Sequence, residues 1–245
     1  MPRFFVAAGN IARGVAVISG ADADHIRVLR LKIGDEIIVC DGDGSDHRCR
    51  IKRIEPGEVV SDVLSSDPSE TEPSVRVTVL AGMPKGERAD LIVQKCTELG
   101  ASEIVFFLCR RCVARPEGKS IEKKLARFQR IAEEAAKQSG RGIIPRVSFA
   151  DDIAGAIDAA IKTELPLLMY ETGDGRIPIR QALSAAGKIS SAAIMTGPEG
   201  GFEKFETELA EKCGMKLCSM GKRILRCETA PAAALAAVMY ETDNL

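Results

Sequence analysis

Two short segments near the C-terminus decide the fold: Thr196-Gly197-Pro198-Glu199-Gly200-Gly201-Phe202 and Gly221-Lys222-Arg223-Ile224-Leu225-Arg226-Cys227-Glu228-Thr229-Ala230. Each segment follows a strand-like apolar run and precedes a helical pattern. Both are therefore expected at the carboxyl ends of strands, where open α/β sheets bind small molecules. The pair predicts one pocket.

The chain around these segments alternates between strand-like and helix-like patterns. The patterns predict strands over 75–81, 103–108, 146–149, 166–170, 191–196 and 216–220. They predict helices over 85–99, 120–139, 153–162, 203–213 and 229–240. Alternation of this kind with short connections favours a parallel α/β sheet.

A polar stretch with two prolines, residues 65–74, marks the predicted domain boundary. Before it, strand patterns cover 35–40, 48–54 and 58–64, and a short helix is predicted over 21–30. The chain is therefore predicted to form a small β-rich domain over residues 1–70 and an α/β domain over residues 75–245.

The composition is that of an ordinary globular protein, with 45% hydrophobic and 28% charged residues and a net charge of -1. It neither demands nor excludes a nucleic-acid partner. Most of the eight cysteines lie in apolar runs, which is typical of reduced, buried thiols and favours the cytosol. No apolar run approaches the ~18 residues needed to span a bilayer, so we expect a soluble, cytoplasmic protein without a membrane partner.

One close cysteine pair, Cys109-Arg110-Arg111-Cys112, is compatible with a redox or zinc site. A zinc site needs further ligands, but there is no second CxxC and the two histidines are His25 and His47. We expect no metal.

The first segment admits two interpretations. Glycines let a backbone approach a ligand closely, and Pro198 stiffens the turn, so the segment suits a ligand cradle. A plain strand-to-helix turn needs glycines as well. The segment matches neither GxxxxGK[ST] nor GxGxxG after a first strand, and Glu199 inside it would repel phosphate. A cationic ligand suits it better.

The second segment places Lys222, Arg223 and Arg226 beside Glu228. Ile224 and Leu225 are apolar within this charged stretch, so part of the loop is expected to turn inward. The small side chains of residues 232–238 permit close approach of another helix or another chain. Alternatively, the helix that contains these residues is buried under the sheet of its own domain, and both arrangements can hold.

Residues 110–146 carry eleven Lys or Arg against four Glu. Apolar residues form one face of the predicted helix there, which leaves Lys123, Arg127, Arg130 and Lys137 on the outer side. Such a face suits a polyanion such as RNA, although charged faces are often merely solvated.

The two segments together resemble the signature of the SPOUT methyltransferases, specifically the RsmE family, which methylates N3 of a uridine in bacterial small-subunit ribosomal RNA. The order of the segments matches, and the resemblance covers almost the whole chain. The flanks that carry it are Arg3-Phe4-Phe5-Val6, His25-Ile26-Arg27-Val28-Leu29-Arg30 with Gly34-Asp35, Lys85-Gly86-Glu87-Arg88, Lys95-Cys96-Thr97-Glu98-Leu99-Gly100 and Gln138-Ser139-Gly140-Arg141.

The resemblance implies a PUA-like β-barrel followed by a SPOUT domain whose C-terminal segment threads a trefoil knot on the parallel sheet. It implies S-adenosylmethionine as cofactor, 16S ribosomal RNA or the small subunit as partner, and a homodimer. The implied cofactor residues are Tyr170, Glu171, Thr196, Gly197, Pro198, Glu199, Gly200, Met220, Gly221, Ile224, Leu225, Arg226, Thr229 and Ala230. The implied RNA-binding residues are Arg3, His25, Arg27, Arg30, Lys85, Arg88, Arg110, Arg111, Arg115, Gln138, Arg141 and Arg223.

The implied reaction is attack by uracil N3 on the methyl group of a sulfonium cation, and N3 must first lose its proton. Glu199 or Glu228 is a candidate acceptor for that proton. Arg223 or Arg226 can instead stabilise the negative charge on the uracil carbonyl oxygens. We favour Arg226, with the carboxylates shaping the loops or taking the proton. Glu228 also suits a helix N-cap.

Two alternatives stay open. The first alternative to the uridine-N3 methyltransferase is a catalytically silent RNA-binding factor of the same fold. The second is a SPOUT methyltransferase that acts on another RNA. The two intact motifs argue against the first alternative, and the N-terminal residues with Gln138-Ser139-Gly140-Arg141 argue against the second.

Overall fold

Two separate sheets organise the chain. The computed structural model describes residues 1–171 and 175–245. Unit 1 comprises Met1–Glu72 with Ala136–Ile144, and unit 2 comprises Pro73–Ala135 with Pro145–Leu245. The short segment 136–144 belongs to unit 1, although it lies far beyond the boundary that the polar stretch predicts.

Unit 1 contains a six-stranded sheet of order β1-β4-β5-β6-β3-β2 with one helix. Its elements are β1 (Arg3–Phe5), β2 (Ile11–Ala12), β3 (Val15–Ser19), α1 (Ala21–Val28), β4 (Glu36–Cys40), β5 (Ser45–Glu55) and β6 (Glu58–Pro68). Strand β1 pairs parallel with β4, and the other pairs are antiparallel. The core joins Phe4, Ile18, Ile26 and Ile51, which are all at most 2% exposed.

The structure corrects the predicted end of the last strand of unit 1. Strand β6 continues to Pro68, through residues predicted as the start of the linker. Ser65 and Ser66 pair with Arg48 and His47 in the long β5–β6 ladder. Their polar side chains suit a solvent-facing strand, and Pro68 stands at its end, where a missing amide hydrogen is tolerated.

Segment 136–144 is held in unit 1 by the side chain of Glu72. Its carboxylate accepts hydrogen bonds from Arg141 Nη2 at 2.7 Å, Gly142 N at 2.9 Å and Ile143 N at 3.0 Å. Arg141 is only 3% exposed. A Cβ added to Gly142 would lie 2.5 Å from Ser69 Cβ, so glycine is required for this close approach.

Unit 2 contains a seven-stranded sheet of order β11-β13-β10-β12-β7-β8-β9, in which all pairs are parallel. Its elements are β7 (Arg76–Gly82), α2 (Arg88–Glu98), β8 (Glu103–Phe107), α3 (Lys119–Ser139), β9 (Arg146–Ala150), α4 (Ile153–Ala160), β10 (Leu165–Met169), β11 (Ile177–Pro178), α5 (Ile179–Ala186), β12 (Ser191–Thr196), α6 (Lys204–Lys212), β13 (Lys216–Ser219) and α7 (Thr229–Glu241). Helix α3 begins in unit 2, and its last residues belong to unit 1. The predicted parallel α/β sheet is confirmed.

The central strands are buried on both faces. Val77 and Val79 in β7, like Ile194 and Met195 in β12, have no exposed surface, as expected of a parallel sheet covered by helices. Helix α7 packs on these strands, with Leu235 among its buried residues. The predicted burial of this helix under its own sheet is therefore confirmed.

The sequence patterns did not predict two elements of unit 2. Strand β11 has only two residues, which is too short for any periodic pattern, and the eight-residue helix α5 follows it directly. In the described parts of the chain, no helix has the length and apolar character to cross a membrane.

Candidate active site

A cavity of about 330 Å³ lies at the carboxyl ends of the adjacent strands β13, β10 and β12 of unit 2. The residues that line it are Arg88, Met169, Tyr170, Glu171, Thr196, Gly197, Pro198, Glu199, Gly201, Ser219, Met220, Gly221, Arg223, Ile224, Leu225, Arg226, Cys227, Glu228 and Ala230. The volume falls in the range of small-molecule pockets, and the position is the one at which open α/β sheets bind ligands. The two sequence segments do meet in one pocket.

Most of the residues predicted for the cofactor lie on this wall, and two do not. Gly200 and Thr229 are absent from it. Met169, Gly201, Ser219 and Cys227 lie on the wall although they were not among the predicted site residues. Their positions directly beside Tyr170, Gly200, Met220 and Glu228 were the available signal.

The first segment uses its glycines because the backbone is crowded. A Cβ on Gly197 would lie 3.1 Å from the backbone of Gly201. Gly201 itself has a φ of 67°, and its Cβ would approach Glu171 Oε1 to 2.9 Å. Gly82, at the end of β7, faces Pro198, and a Cβ there would lie 2.5 Å from the proline Cδ. Side chains at these positions would displace the loop that forms the cavity wall.

Arg88 joins the carboxylates of the two segments. Its Nη1 donates to Glu199 Oε1 at 2.5 Å, and its Nε lies 3.6 Å from Glu228 Oε2. The amide of Lys85 donates to the same Glu199 oxygen at 2.9 Å. The start of α2 therefore ties the loop after β12 to the loop before α7.

The pKa of each carboxylate is lowered by this arrangement. Burial alone would raise the pKa of Glu199, but hydrogen bonds from the Lys85 and Glu199 amides and from Arg88 outweigh it. Burial also acts to raise the pKa of Glu228, where its own amide, the Cys227 thiol and nearby Arg88 and Arg226 outweigh it. Both groups are ionised at neutral pH, so two negative charges border the cavity.

The two carboxylates differ in how they are used. Glu199 is committed to Arg88 and the Lys85 amide, which makes it a brace for the loop. Glu228 occupies the N-cap position of α7, but its side chain makes no capping hydrogen bond. The side chain instead lies on the cavity wall, with Cys227 Sγ 3.3 Å from its Oε2. Of the two carboxylates, Glu228 is therefore the more available to a ligand in the cavity.

The loop before α7 lies at the mouth of the cavity. Arg223 and Arg226 both line the cavity and are largely exposed. Ile224 also lines the cavity, although it is 80% exposed. Leu225 is half-buried and Cys227 is buried, so part of the loop turns inward, as expected.

The predicted RNA-binding residues of unit 1 divide into exposed and buried groups. His25, Arg27, Arg30 and Gln138 are exposed. Arg3 is not, since its Nη2 donates to Asp46 Oδ2 at 2.7 Å and its side chain is 11% exposed. Arg3 and the buried Arg141 therefore hold unit 1 together, and the expectation that they contact RNA does not fit their burial.

In unit 2, the predicted RNA-binding residues Lys85, Arg110, Arg111 and Arg115 are exposed, and Arg88 is half-buried. A second cavity of about 320 Å³ lies next to the Lys85–Arg88 loop. Its lining residues are Gly86, Glu87, Asp90, Ser120, Lys123, Lys124, Arg127 and Phe128. Basic side chains of α3 thus lie close to the loop that braces Glu199.

We expect Arg88→Gln to lower the free energy of unfolding at neutral pH by about 0.2–1 kcal/mol. The effect is small because the Arg88–Glu199 ion pair is partly exposed. Both carboxylates have lowered pKa values in the folded protein, so their pairing stabilises the fold above the ordinary glutamate pKa of 4.5 and is lost as the pH falls below it. The difference in melting temperature between variant and wild type should shrink from pH 7 to pH 4. Arg130→Gln, an exposed change on α3, is the control. A difference independent of pH would contradict the ion pairing.

Comparison with protein families gives matches along most of the chain. A model described as an RNA methyltransferase domain matches residues 71–239. A model described as an RNA methyltransferase PUA domain matches residues 18–64. The first range covers most of unit 2, and the second covers much of the β-rich part of unit 1.

Two of three similar proteins carry the same name. The ribosomal RNA small subunit methyltransferase E of Bacillus subtilis (strain 168) is 36% identical over 233 residues, which cover 93% of this chain and 91% of that protein. The enzyme of that name from Neisseria gonorrhoeae, solved with S-adenosyl methionine bound, is 32% identical, with a TM-score of 0.83 and coverage of 98% of this chain and 97% of that chain. A protein of Legionella pneumophila, solved in complex with the same cofactor, is 25% identical, with a TM-score of 0.85 and coverage of 97% of this chain and 96% of that chain. The chain belongs to the ribosomal RNA small subunit methyltransferase E family, the RsmE family of RNA methyltransferases.

Proposed function

We propose that the protein transfers a methyl group from S-adenosylmethionine to N3 of a uridine in 16S ribosomal RNA of the small subunit. The observation that carries the proposal is the cavity in which both family motifs meet at the ends of β10, β12 and β13. The names of the relatives support the RNA class, and the bound cofactor in two similar structures supports the methyl donor.

The residues around the cavity fit such a cofactor. The crowded glycines Gly197 and Gly201 leave backbone rather than side chains at the wall, so a ligand can reach amide and carbonyl groups closely. Glu171, Glu199 and Glu228 border the cavity and suit a cationic ligand. Leu225 and Ala230 offer apolar surface for a ring. When bound, S-adenosylmethionine supplies an electrophilic methyl group on a sulfonium cation.

The side chains of the protein have to help uracil N3 act as a nucleophile. N3 carries a proton at neutral pH, and the anion left by its removal spreads charge over the carbonyl oxygens. Arg226, on the cavity wall, is placed to stabilise that charge. Glu228 is ionised and can take the proton, although its lowered pKa makes it a weak base. Arg226 therefore has the larger role, and Glu199 serves as the brace that holds the loop.

We assign the RNA interface to the exposed predicted residues. They are His25, Arg27, Arg30 and Gln138 in unit 1, and Lys85, Arg110, Arg111, Arg115 and Arg223 in unit 2. Lys123 and Lys124, beside the second cavity, extend the basic surface of unit 2. Phosphate contacts of this kind would make binding fall steeply with salt.

The proposal includes the finer features that the family resemblance implies. Residues 1–70 form the PUA-like β-barrel domain, and residues 75–245 form the SPOUT domain with its trefoil knot. The protein acts as a cytoplasmic homodimer without metal. The outer face of α7 offers small, half-exposed side chains, Ala232, Ala233, Ala236 and Ala237, for subunit contact. Light scattering of the purified protein measures the oligomeric state.

Mass spectrometry of ribosomal RNA from a deletion strain tests the function. Loss of one N3-methyluridine, restored by the purified protein with S-adenosylmethionine and small subunits, is the expected result. An unchanged modification pattern would reject the assignment. A change confined to transfer RNA or to a ribose would favour another RNA target, and cofactor-free RNA binding would favour a silent factor.

Gly197→Val tests the cradle. The added side chain meets the Gly201 backbone and the Phe202 ring, so we expect affinity for S-adenosylmethionine to fall at least about tenfold, equivalent to ~1.4 kcal/mol. Isothermal titration of the folded variant measures it. Gly155→Ala is the matched control, because a Cβ there has only ordinary contacts, the nearest at 3.6 Å. Unchanged affinity in folded Gly197→Val would remove the loop from the site.

A further inference from the structure

The pair Cys109 and Cys112 lies in the loop that follows β8, and the proposed reaction does not use it. Their Sγ atoms are 3.5 Å apart. The Cys112 amide donates to the Cys109 carbonyl at 3.1 Å, which closes a tight turn around Arg110 and Arg111. Both cysteines are 4% exposed. The turn thus holds two thiols in contact, near the separation at which a disulfide can form.

The hydrogen-bond partners of the two thiols are each other and backbone groups. Within the residues that the structure describes, no three His, Cys, Asp or Glu side chains gather in a group that could hold an ion. The two thiols contact each other instead, and an amide hydrogen bond from Cys109 N reaches Cys112 Sγ at 3.3 Å.

The two sulfurs are chemically unequal. The hydrogen bond from the Cys109 thiol lowers the pKa of Cys112 to about 7 against the opposing effect of burial, and the amides of Cys109 and Met83 assist. The same contact raises the pKa of Cys109. Burial raises the pKa of Cys96, a cysteine deep in the core, to about 12. A thiolate beside a thiol is the arrangement of a reactive dithiol, whereas an isolated buried thiol is inert.

The turn is clamped to the loop that forms the cofactor cavity. Arg111 Nη1 donates to the Gly200 carbonyl at 2.8 Å, and Arg111 Nε donates to Glu203 Oε1 at 3.0 Å. The Arg110 amide donates to Glu206 Oε1 at 2.8 Å. A Cβ on Gly200 would lie 2.9 Å from Arg111 Cβ, so the two backbones are in close contact. A movement of the turn therefore reaches Gly201 on the cavity wall.

We infer that Cys109 and Cys112 form a reversible disulfide with a small oxidant of the peroxide class, and that this weakens cofactor binding at the adjacent loop. The Cys112 thiolate attacks one oxygen of hydrogen peroxide and the O–O bond breaks, which gives a sulfenic acid and hydroxide. The hydroxide takes up the proton that Cys112 released on ionisation and leaves as the first water. The Cys109 sulfur then attacks that sulfur, the S–S bond forms, and a second water leaves. Two electrons pass to the peroxide, and both thiol protons end in water.

The geometry explains both parts of the inference. Bond formation brings the sulfurs from 3.5 Å to about 2.05 Å, which draws the turn together and displaces Arg111 from Gly200 and Glu203. A small peroxide suits the site because the thiols are almost fully covered, which excludes a bulky disulfide reagent. The effect on cofactor affinity rests on the proposed function, whereas disulfide formation does not.

Peptide mapping tests the modification on the full chain carrying Cys213→Ser, which removes the exposed thiol. After treatment with hydrogen peroxide and alkylation of the remaining thiols, we expect the peptide with Cys109 and Cys112 to lose the mass of two hydrogen atoms, and dithiothreitol to reverse the loss. Cys109→Ser should instead accumulate oxygen on Cys112, with Cys109→Ala as the substitute if serine prevents folding. Equal oxidation of Cys96, or no disulfide under these conditions, would overturn the inference.

Titration with S-adenosylmethionine tests the coupling. We expect the oxidised protein to bind about tenfold more weakly than the reduced protein, and peroxide to leave the affinity of Cys109→Ser within about twofold. A disulfide without change in affinity would overturn the coupling. If the reduced protein does not bind S-adenosylmethionine at all, the proposed function fails, while the peptide mapping still decides the disulfide.

Discussion

Arg226→Ala should lower kcat for methyl transfer by about 10²–10³-fold, the usual cost of removing one donor that stabilises developing negative charge. The loop should keep its shape, because the Arg226 backbone carbonyl, not its side chain, accepts the hydrogen bonds from Thr229 and Ala230 N at 2.9 Å. Affinity for S-adenosylmethionine should change far less than kcat. Transfer of labelled methyl to small ribosomal subunits measures the first quantity, and titration of the protein measures the second.

Lys222→Ala is the matched control for Arg226. Lys222 lies on the same loop and is exposed, but it does not belong to the described residues that line the cavity. We expect Lys222→Ala to retain kcat within a few-fold and Arg226→Lys to recover part of the loss. Equal losses in Lys222→Ala and Arg226→Ala would mean that the loop acts through its general positive charge, and Arg226 would lose its catalytic assignment.

Glu72→Ala should destabilise unit 1 by about 1–3 kcal/mol, because the change removes the hydrogen-bond acceptor of a charged side chain and of two backbone amides. Arg141, whose side chain is 4% exposed, would lose its bond to the Glu72 carboxylate, and the amides of Gly142 and Ile143 would lose this acceptor. Urea unfolding followed by hydrogen exchange resolves the stability of unit 1 from that of unit 2, since a chain with two units need not unfold in one step.

Glu70→Ala provides the control for Glu72. Glu70 lies two residues away and is exposed, so its loss should change the stability of unit 1 by much less. If both variants have the same stability, Glu72 does not hold segment 136–144 in place. A loss confined to unit 2 would contradict the assignment of that segment to unit 1.

Local sequence patterns were sufficient for most of the α/β architecture. Apolar runs mark β12 and β13, and the helical periods mark α2, α3 and α6, with ends within a few residues of those observed. The glycine-rich and basic segments after β12 and β13 had to lie at the same edge of the sheet, because parallel strands end on one side. The pocket could therefore be predicted without its geometry.

The roles of individual charged side chains depended on contacts between distant parts of the chain. Arg88 and Glu199 are 111 residues apart, and Glu72 and Arg141 are 69 apart. No periodic pattern records such a pair, so Arg88 and Arg141 were both predicted to contact RNA rather than to pair with a carboxylate. The contact between Cys109 and Cys112 was visible as a motif, but its attachment to Gly200 was not.

The sequence alone determined the class of fold, the family and the place of the pocket, because these follow from hydrophobic period and from motifs that are local in the chain. Tertiary structure alone decided which carboxylate is committed to a brace, which arginines are buried, and which turn touches the cavity loop. Those properties depend on burial and on long-range hydrogen bonds, and both exist only after the sheet has brought the strand ends together.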